Sequence, residues 1–401
     1  MPYSIHVQGA IRRKITAVAA DMTEWEAANA IPDAEASMIK ASIRAFSHSV
    51  SAEDFVVAGV DGSGDYPSLS YADSCVYVAS AFGTAFRTSA IYGLDEIPVL
   101  ADPVFEVVWL PGDRGVAASR WDSAFASLAG RPVKDVVEAS DYRTIKKSLT
   151  GDSSSTSAII DGLIRPPGSD TSNVAIQLRS SAELGAALRL ITSKHEARLV
   201  LTDTTLSLPM IRTRSESLFY EHLKRLCCVE ARSRGITFAT LSKSHTMRSM
   251  DLIDVYAREA LGMAAGEEVE HWFLRLPIAG VDSWSFTPTN GRAVPPPGAV
   301  TYLFRLHQNT PIMRLDIDFA WWSDKFRHDE KAETSLFSDL DFCSHDQRAF
   351  GYPYPIKACH DRVRLSEEER VALKKMIMDA ACAAGIPRHV FKDVSMATGH
   401  S

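Results

Sequence analysis

The sequence predicts an α/β fold on one mixed sheet. An antiparallel meander of strands leads into a parallel βαβ part, with flanking helices and a C-terminal strand and helix extension. Three observations predict it. The apolar run Phe55 to Val60 stops at Asp61-Gly62-Ser63-Gly64 and is followed by two similar runs with no long helix between them. Helical periodicity then alternates with short apolar runs. Past Gly266 the strand pattern returns before the chain ends in a helix.

Taken in order, residues 1–50 read as helical. Pro32 and Asp33 open a helix whose apolar positions, Ala36, Met38, Ile39, Ile43 and Phe46, recur roughly three and four apart. Such a helix packs before the first core strand, or serves as a lid or a dimer arm. Phe55, Val56, Val57, Ala58 and Val60 form a strand buried on both faces, because a continuous apolar run leaves no face for water. Asp61 ends it and is held by apolar packing on one side and a turn on the other. Ser74 to Phe82 and Phe105 to Leu110 follow as strands, the second stopped by Pro111-Gly112-Asp113. Residues 115–149 read as helical, with Trp121, Phe125, Leu128, Val136 and Val137 apolar. Ser148 to Ser172 is rich enough in Ser, Thr, Gly, Pro and Asp to read as a mobile loop.

Val174 to Leu190 fits a helix and contains Glu183. Arg198 to Thr202 is a strand ending at Asp203, and Ser215 to Arg234 a helix. Ile236 to Leu241 is a strand followed by Lys243, and residues 249–263 read as helical. Three strands, helix, strand, helix, strand, helix is the ribonuclease H-like order. In that fold, strand ends and the first long helix bring acids together over the sheet. Asp61, Glu183 and Asp203 each fall at such a place. Farther on, His271 to Leu276, Thr301 to Leu306 and Ile312 to Phe319 read as strands. In the last, Arg314, Asp316 and Asp318 alternate with apolar residues, as on a half-exposed strand. Gly351-Tyr352-Pro353-Tyr354-Pro355 reads as a rigid turn leading to His360. Ser366 with Glu369 forms a capping box that opens a helix to about Ala384.

Composition narrows the function. The net charge of −7 gives no global basic signature, so a nucleic acid has to be met by a local patch or by a metal that offsets an acidic site. No apolar run approaches the ~20 residues of a membrane span, and no secretory signal leads the chain. Six cysteines without C-x-x-C spacing point to reduced thiols and a cytoplasmic location. The G-x-x-x-x-G-K-[ST] loop and the G-x-S-x-G elbow are both absent, which argues against nucleotide hydrolysis and an α/β-hydrolase.

Several elements occur in the order found in NurA-type nucleases, which the chain resembles over about residues 55–365. They are Asp61-Gly62-Ser63, Asp203 with Leu206 downstream, Lys243 at its strand end, Tyr302–Leu306 with Pro311 and Arg314 behind it, and GYPYPIKACH at 351–360. The Gly-Tyr-Pro-Tyr-Pro…His element is the most specific. Where that family usually has Asp-Gly-Ser-Leu at the fourth strand, this chain reads Asp203-Thr204-Thr205-Leu206. The resemblance implies a ribonuclease H-like nuclease core, placed at residues 51–265 behind a helical arm at 1–50. Residues 266–401 would complete the domain and its active site. It also implies Mn²⁺-dependent DNA cleavage, with Mg²⁺ as the other candidate ion, a homodimer, and docking on a HerA-like hexameric ATPase.

A phosphodiester repels nucleophiles by its charge, and divalent ions offset that charge. Asp61, Glu183 and Asp203 supply carboxylates for a hard cation, and His360 supplies an imidazole ligand or a proton shuttle. Lys243 meets a phosphate oxygen or orients the nucleophile. Arg212 and Arg214, with Lys224 and Arg225, form a basic cluster suited to phosphates. Tyr352 and Tyr354 stack on a base or wedge into the core. Plainer readings stand beside these: Asp61 as a turn cap, Glu183 and Lys243 as solvated side chains, and Asp316 and Asp318 on a solvated sheet face. His195, His222 and His307 read as structural. The function expected is DNA end processing by a metal-dependent nuclease. The rivals are a non-catalytic adaptor or DNA-binding subunit, which Thr204-Thr205 motivates, and a defence nuclease against foreign nucleic acid.

Overall fold

Strand β2 (Val56–Ser63) is buried nearly throughout because its alternating side chains enter two different cores. Val56, Ala58 and Val60 join one core, while Val57 joins the other together with the preceding Phe55. The computed structural model describes residues 5–28, 31–48, 54–64, 67–71, 74–89, 93–97, 103–145, 171–194, 196–206, 219–243, 245, 247, 250–264, 269–286 and 298–391.

On one side β2 pairs antiparallel with β4 (Ser74–Ser89), which pairs with β6 (Val104–Leu110). On the other side it pairs parallel with β7 (Ala197–Thr202), which runs parallel to β8 (Thr237–Ser242). The order β6-β4-β2-β7-β8, with two antiparallel and two parallel steps, is the ribonuclease H-like arrangement the sequence predicts. The short strands β3 (Leu69–Tyr71) and β5 (Gly93–Ile97) also pair with β4. Beyond β8 the sheet continues through β11 (Met313–Asp318), β10 (Ala299–Arg305), β9 (Trp272–Arg275) and β1 (Ile43–Ala45), all antiparallel, to make eleven strands. Strands from 1–50, 51–265 and 266–401 are thus hydrogen-bonded into one sheet.

Helices α3 (Arg114–Ala129), α4 (Val133–Ala139), α5 (Thr171–Thr192) and α6 (Phe219–Ser233) cover one face, burying Trp121, Phe125, Leu178 and Leu223. Helices α8 (Phe319–Lys325), α9 (Glu330–Ser344) and α10 (Tyr354–Val363) cover the other with Trp322, Phe337 and Ile356. A third cluster around Trp272 joins α2 (Asp33–Ser42) and α7 (Met250–Ala260) to the far strands. Each fully buried side chain of this size contributes roughly 1.5–3 kcal/mol relative to exposure.

Several expectations change. Helix α2 stops at Ser42, and Ile43 starts β1 instead of continuing the helix. The Gly-Tyr-Pro-Tyr-Pro segment is not a plain turn. Pro353 caps α10, and Pro355 lies in its first turn, where a missing N–H costs no intrahelical bond. Residues 148–170 lie outside the described residues, and α5 starts at Thr171. Helix α1 (Ile5–Ala28) exposes Ile11, Ile15, Val18, Met22 and Trp25. Asp316 and Asp318 are buried, so the half-exposed strand expected there is a core strand. The capping box forms as predicted at the start of α11 (Glu367–Ala383). All six cysteines are unpaired. Among the described residues no helix is long and apolar enough to cross a membrane.

Candidate active site

The site begins with a close approach that glycine permits. A Cβ at Gly59 would overlap the backbone of Pro355, so β2 and the first turn of α10 meet backbone to backbone. The Cys359 thiol, 3.1 Å from the Gly59 carbonyl oxygen, ties the two further along. This contact sets the height of α10 over the strand. The next residue, His360, then places Nδ1 2.7 Å from Asp61 Oδ2. Asp61 is 1% exposed, and the Gly62 amide donates to its Oδ1 at 2.7 Å.

The parallel register pairs Val60 with Thr202, so Asp61 and Asp203 follow on neighbouring strands at the same end of the sheet. Both line one cleft of about 460 Å³, together with Lys243, Tyr352 and His360. Thr202 donates its hydroxyl to Glu183 on α5. Gly62 lets α5 come this close, since a Cβ there would sit 3.2 Å from Glu183 Cβ and 3.3 Å from Arg179 Cγ. Arg179, one turn before Glu183, donates Nε to the Gly62 carbonyl at 3.1 Å and holds Nη2 3.8 Å from Asp61. Lys243 Nζ lies 3.8 Å from Asp203 and over the Tyr352 ring.

Burial, then the neighbouring Asp61, pushes the Glu183 carboxyl up to about 8. Burial also raises Asp203, against the pull of Lys243. Asp61 thus adds to the raising of both neighbouring acids, and three carboxylates this close form a site short of positive charge. Carboxylate oxygens with one imidazole match a hard or borderline divalent ion, so the residues present fit Mn²⁺ or Mg²⁺. The Tyr352 hydroxyl is buried without a hydrogen-bond partner. Burial, and then Asp203, Asp61 and Glu183, raise that phenol well above its ordinary value.

The structure therefore gathers Asp61, Asp203, Lys243, Tyr352 and His360 in one cleft, with Glu183 buried beside Asp61. Tyr354 is elsewhere. Its ring packs edge-on against Phe86 and beneath the Arg348 guanidinium, 3.7 Å away. Arg212, Arg214 and His195 lie outside the described residues. Lys224 and Arg225, predicted as phosphate-facing, are buried instead. Lys224 pairs with Glu221, and Arg225 with Asp141 and Asp318. Asp316 does not extend the acidic site. It accepts from the Leu206 amide at 3.0 Å and so anchors the segment just after Asp203. The sequence reading missed Arg179 and Thr202. The signal for Arg179 was its i−4 spacing from Glu183, which puts both on one helix face.

No protein-family profile and no curated protein matches the chain. Among solved structures it is similar to the NurA nuclease from Sulfolobus solfataricus, at 15% identity and TM-score 0.49, over 96% of this chain and 100% of that one. It is also similar to NurA bound to dAMP and manganese, at 12% identity and TM-score 0.40, over 96% of this chain and 98% of that one. With NurA with manganese the identity is 12% and the TM-score 0.37, over 94% of this chain and 98% of that one. The chain is similar to NurA nucleases along nearly its whole length, while the site described above rests on its own distances.

Proposed function

We propose that this chain is a NurA-type nuclease that hydrolyses DNA phosphodiesters with a divalent metal ion, Mn²⁺ first and Mg²⁺ second. The observation that supports this most is the meeting of Asp61 and His360, 299 residues apart, in a cleft shared with Asp203 and Lys243. Asp61, Glu183, Asp203 and His360 are the residues that would hold the ion. The ion supplies charge neutralisation at the phosphate and acidification of water. The protein supplies the rest. Lys243, half-exposed at the cleft, presents a cation to a phosphate oxygen. The unpartnered Tyr352 hydroxyl offers a hydrogen-bond donor beside the acids. Arg179 fastens the Asp61 strand end to α5. Arg212 and Arg214, shortly after the Asp203 strand, supply cations for the DNA backbone.

The larger role we infer is DNA end processing fed by a HerA-like hexameric ATPase, which would provide the nucleotide hydrolysis this chain lacks a loop for. A homodimer fits α1. Its exposed Ile11, Ile15, Val18, Met22 and Trp25 recur at intervals of four and three, the spacing of a coiled-coil seam. The test is degradation of linear duplex DNA with and without Mn²⁺, by the wild type and by Asp61→Ala/Asp203→Ala. Ion-dependent cleavage that disappears in a folded double variant is expected. Cleavage by that variant at the wild-type rate would sink the assignment.

One observation favours a second reading, a non-catalytic adaptor. Arg179 and Lys243 each come within 3.8 Å of an acid and offset part of its charge. An adaptor would bind no Mn²⁺ by calorimetry, yet still co-elute with a HerA-like ATPase.

A further inference from the structure

Four donors meet outside the cleft. His48 follows β1, His271 precedes β9, Asp341 lies in the last turn of α9, and His345 caps that helix. One nitrogen from each histidine and one Asp341 oxygen lie within 4.8 Å of one another. His48 Nδ1 is 2.7 Å from Asp341 Oδ2, while His345 Nε2 and His271 Nε2 are 2.8 and 3.3 Å from Oδ1. A tetrahedral ion with bonds of about 2.0–2.1 Å sets its donors roughly 3.3 Å apart. His271 already stands at that distance from Asp341 Oδ1, while His345 and His48 stand closer, at hydrogen-bond distance from Oδ1 and Oδ2. His271 Nε2 is buried and falls short of a full hydrogen bond, its nearest acceptor being Asp341 Oδ1. His271 is also the one non-glycine residue at positive φ, 58°, among the described residues. Such a conformation persists only where its surroundings hold it. Asp341 is fully buried, while the rings keep one side open to solvent for an ion to enter.

We propose that His48, His271, Asp341 and His345 bind a late first-row divalent transition metal ion of the zinc class. Three imidazoles and one carboxylate suit zinc and exclude magnesium and calcium, which require mostly oxygen donors. The negative end of α9 points at the same place and favours a cation there. The ion would join three segments distant in sequence at the root of the cleft wall. The Gly351 amide donates to the Ser344 carbonyl beside His345, and the Phe350 ring stands edge-on to His345. Phe350, Gly351 and Tyr352 then line the cleft. The role is to position that wall, and the site stands whether or not the cleft cleaves DNA.

The full chain is stripped with a chelator, then titrated with Zn²⁺ by calorimetry and with Co²⁺ by visible absorption. We expect one Zn²⁺ per chain in Asp61→Ala/Asp203→Ala, where the cleft is disabled. We also expect a Co²⁺ spectrum of four-coordinate nitrogen and oxygen donors. His48→Ala and His345→Ala should each weaken Zn²⁺ by at least ~10-fold, the smallest loss seen even for outer-shell changes. His48 is exposed, so that variant removes little packing, and its fold is checked by circular dichroism. Absence of Zn²⁺ uptake in the cleft-disabled variant overturns the proposal. So does uptake unchanged in both histidine variants.

Discussion

The cleft and the histidine cluster use the same donor types in opposite proportions. The cleft, with Glu183 buried beside it, brings together three carboxylates and one imidazole, and the cluster three imidazoles and one carboxylate. In the cleft, burial and the charge of Asp61 raise the proton affinity of Glu183 and Asp203, so the site is short of positive charge. In the cluster a single carboxylate stands against three rings, and His48 and His345 hydrogen-bond to it. Mostly oxygen donors suit hard ions, and mostly nitrogen donors suit the softer ion proposed for the cluster. Proximity alone therefore does not define a metal site. The ratio of oxygen to nitrogen donors decides what it holds.

Substitutions that act on one region and spare the other test this contrast. Asp61→Ala should lower Mn²⁺-dependent cleavage at least ~10²-fold, the low end for loss of an electrostatic or acid–base group, while Zn²⁺ uptake at the cluster stays as it was. Equal loss of both would merge the two regions into one unit. Gly59→Ala should cost about 1–3 kcal/mol in denaturant unfolding, because the methyl group meets the Pro355 backbone, and should reduce cleavage by lifting His360 from Asp61.

A third test concerns the crowding of acids. The Glu183 carboxyl binds its proton more tightly folded than unfolded, so stability is full below about pH 4.5 and lost as pH rises toward 8. Glu183→Gln in metal-free buffer should therefore raise the free energy of unfolding at pH 8, by ~1–2 kcal/mol, and leave it unchanged near pH 4. A gain equal at both pH values would show that Glu183 is not strained by its neighbours. The smallest effect on stability belongs to α1. Val18→Asp should change stability by less than ~0.5 kcal/mol yet shift the mass in light scattering from dimer to monomer. An unchanged mass would remove α1 from the dimer.

Much of the cleft was legible because each acid is tied to a local pattern. Asp61 and Asp203 follow apolar runs, and Glu183 lies in a periodic helix. His360 was legible only through its motif. The motif's proline at the start of α10 and the glycine in β2 explain why it lands on Asp61. Lys224 and Arg225 read as facing phosphates because a sequence shows charge without its partners. Asp141 and Asp318, which bury Arg225, come from other elements. The histidine cluster was invisible for the same reason. Of its four members only Asp341 and His345, four apart at a helix end, form a local pattern.

The junction between Gly59 and Pro355 also bears on how the protein is made. A ribosome that has finished the first core strand must add nearly three hundred more residues before His360 emerges. At 5–20 residues per second that delay is roughly a quarter of a minute to a minute. Throughout it the nascent chain carries Asp61 without the ring that later covers it. A product cut short before α10 would lack both His360 and the Pro355 backbone that meets Gly59, and with them the contact that closes this side of the cleft.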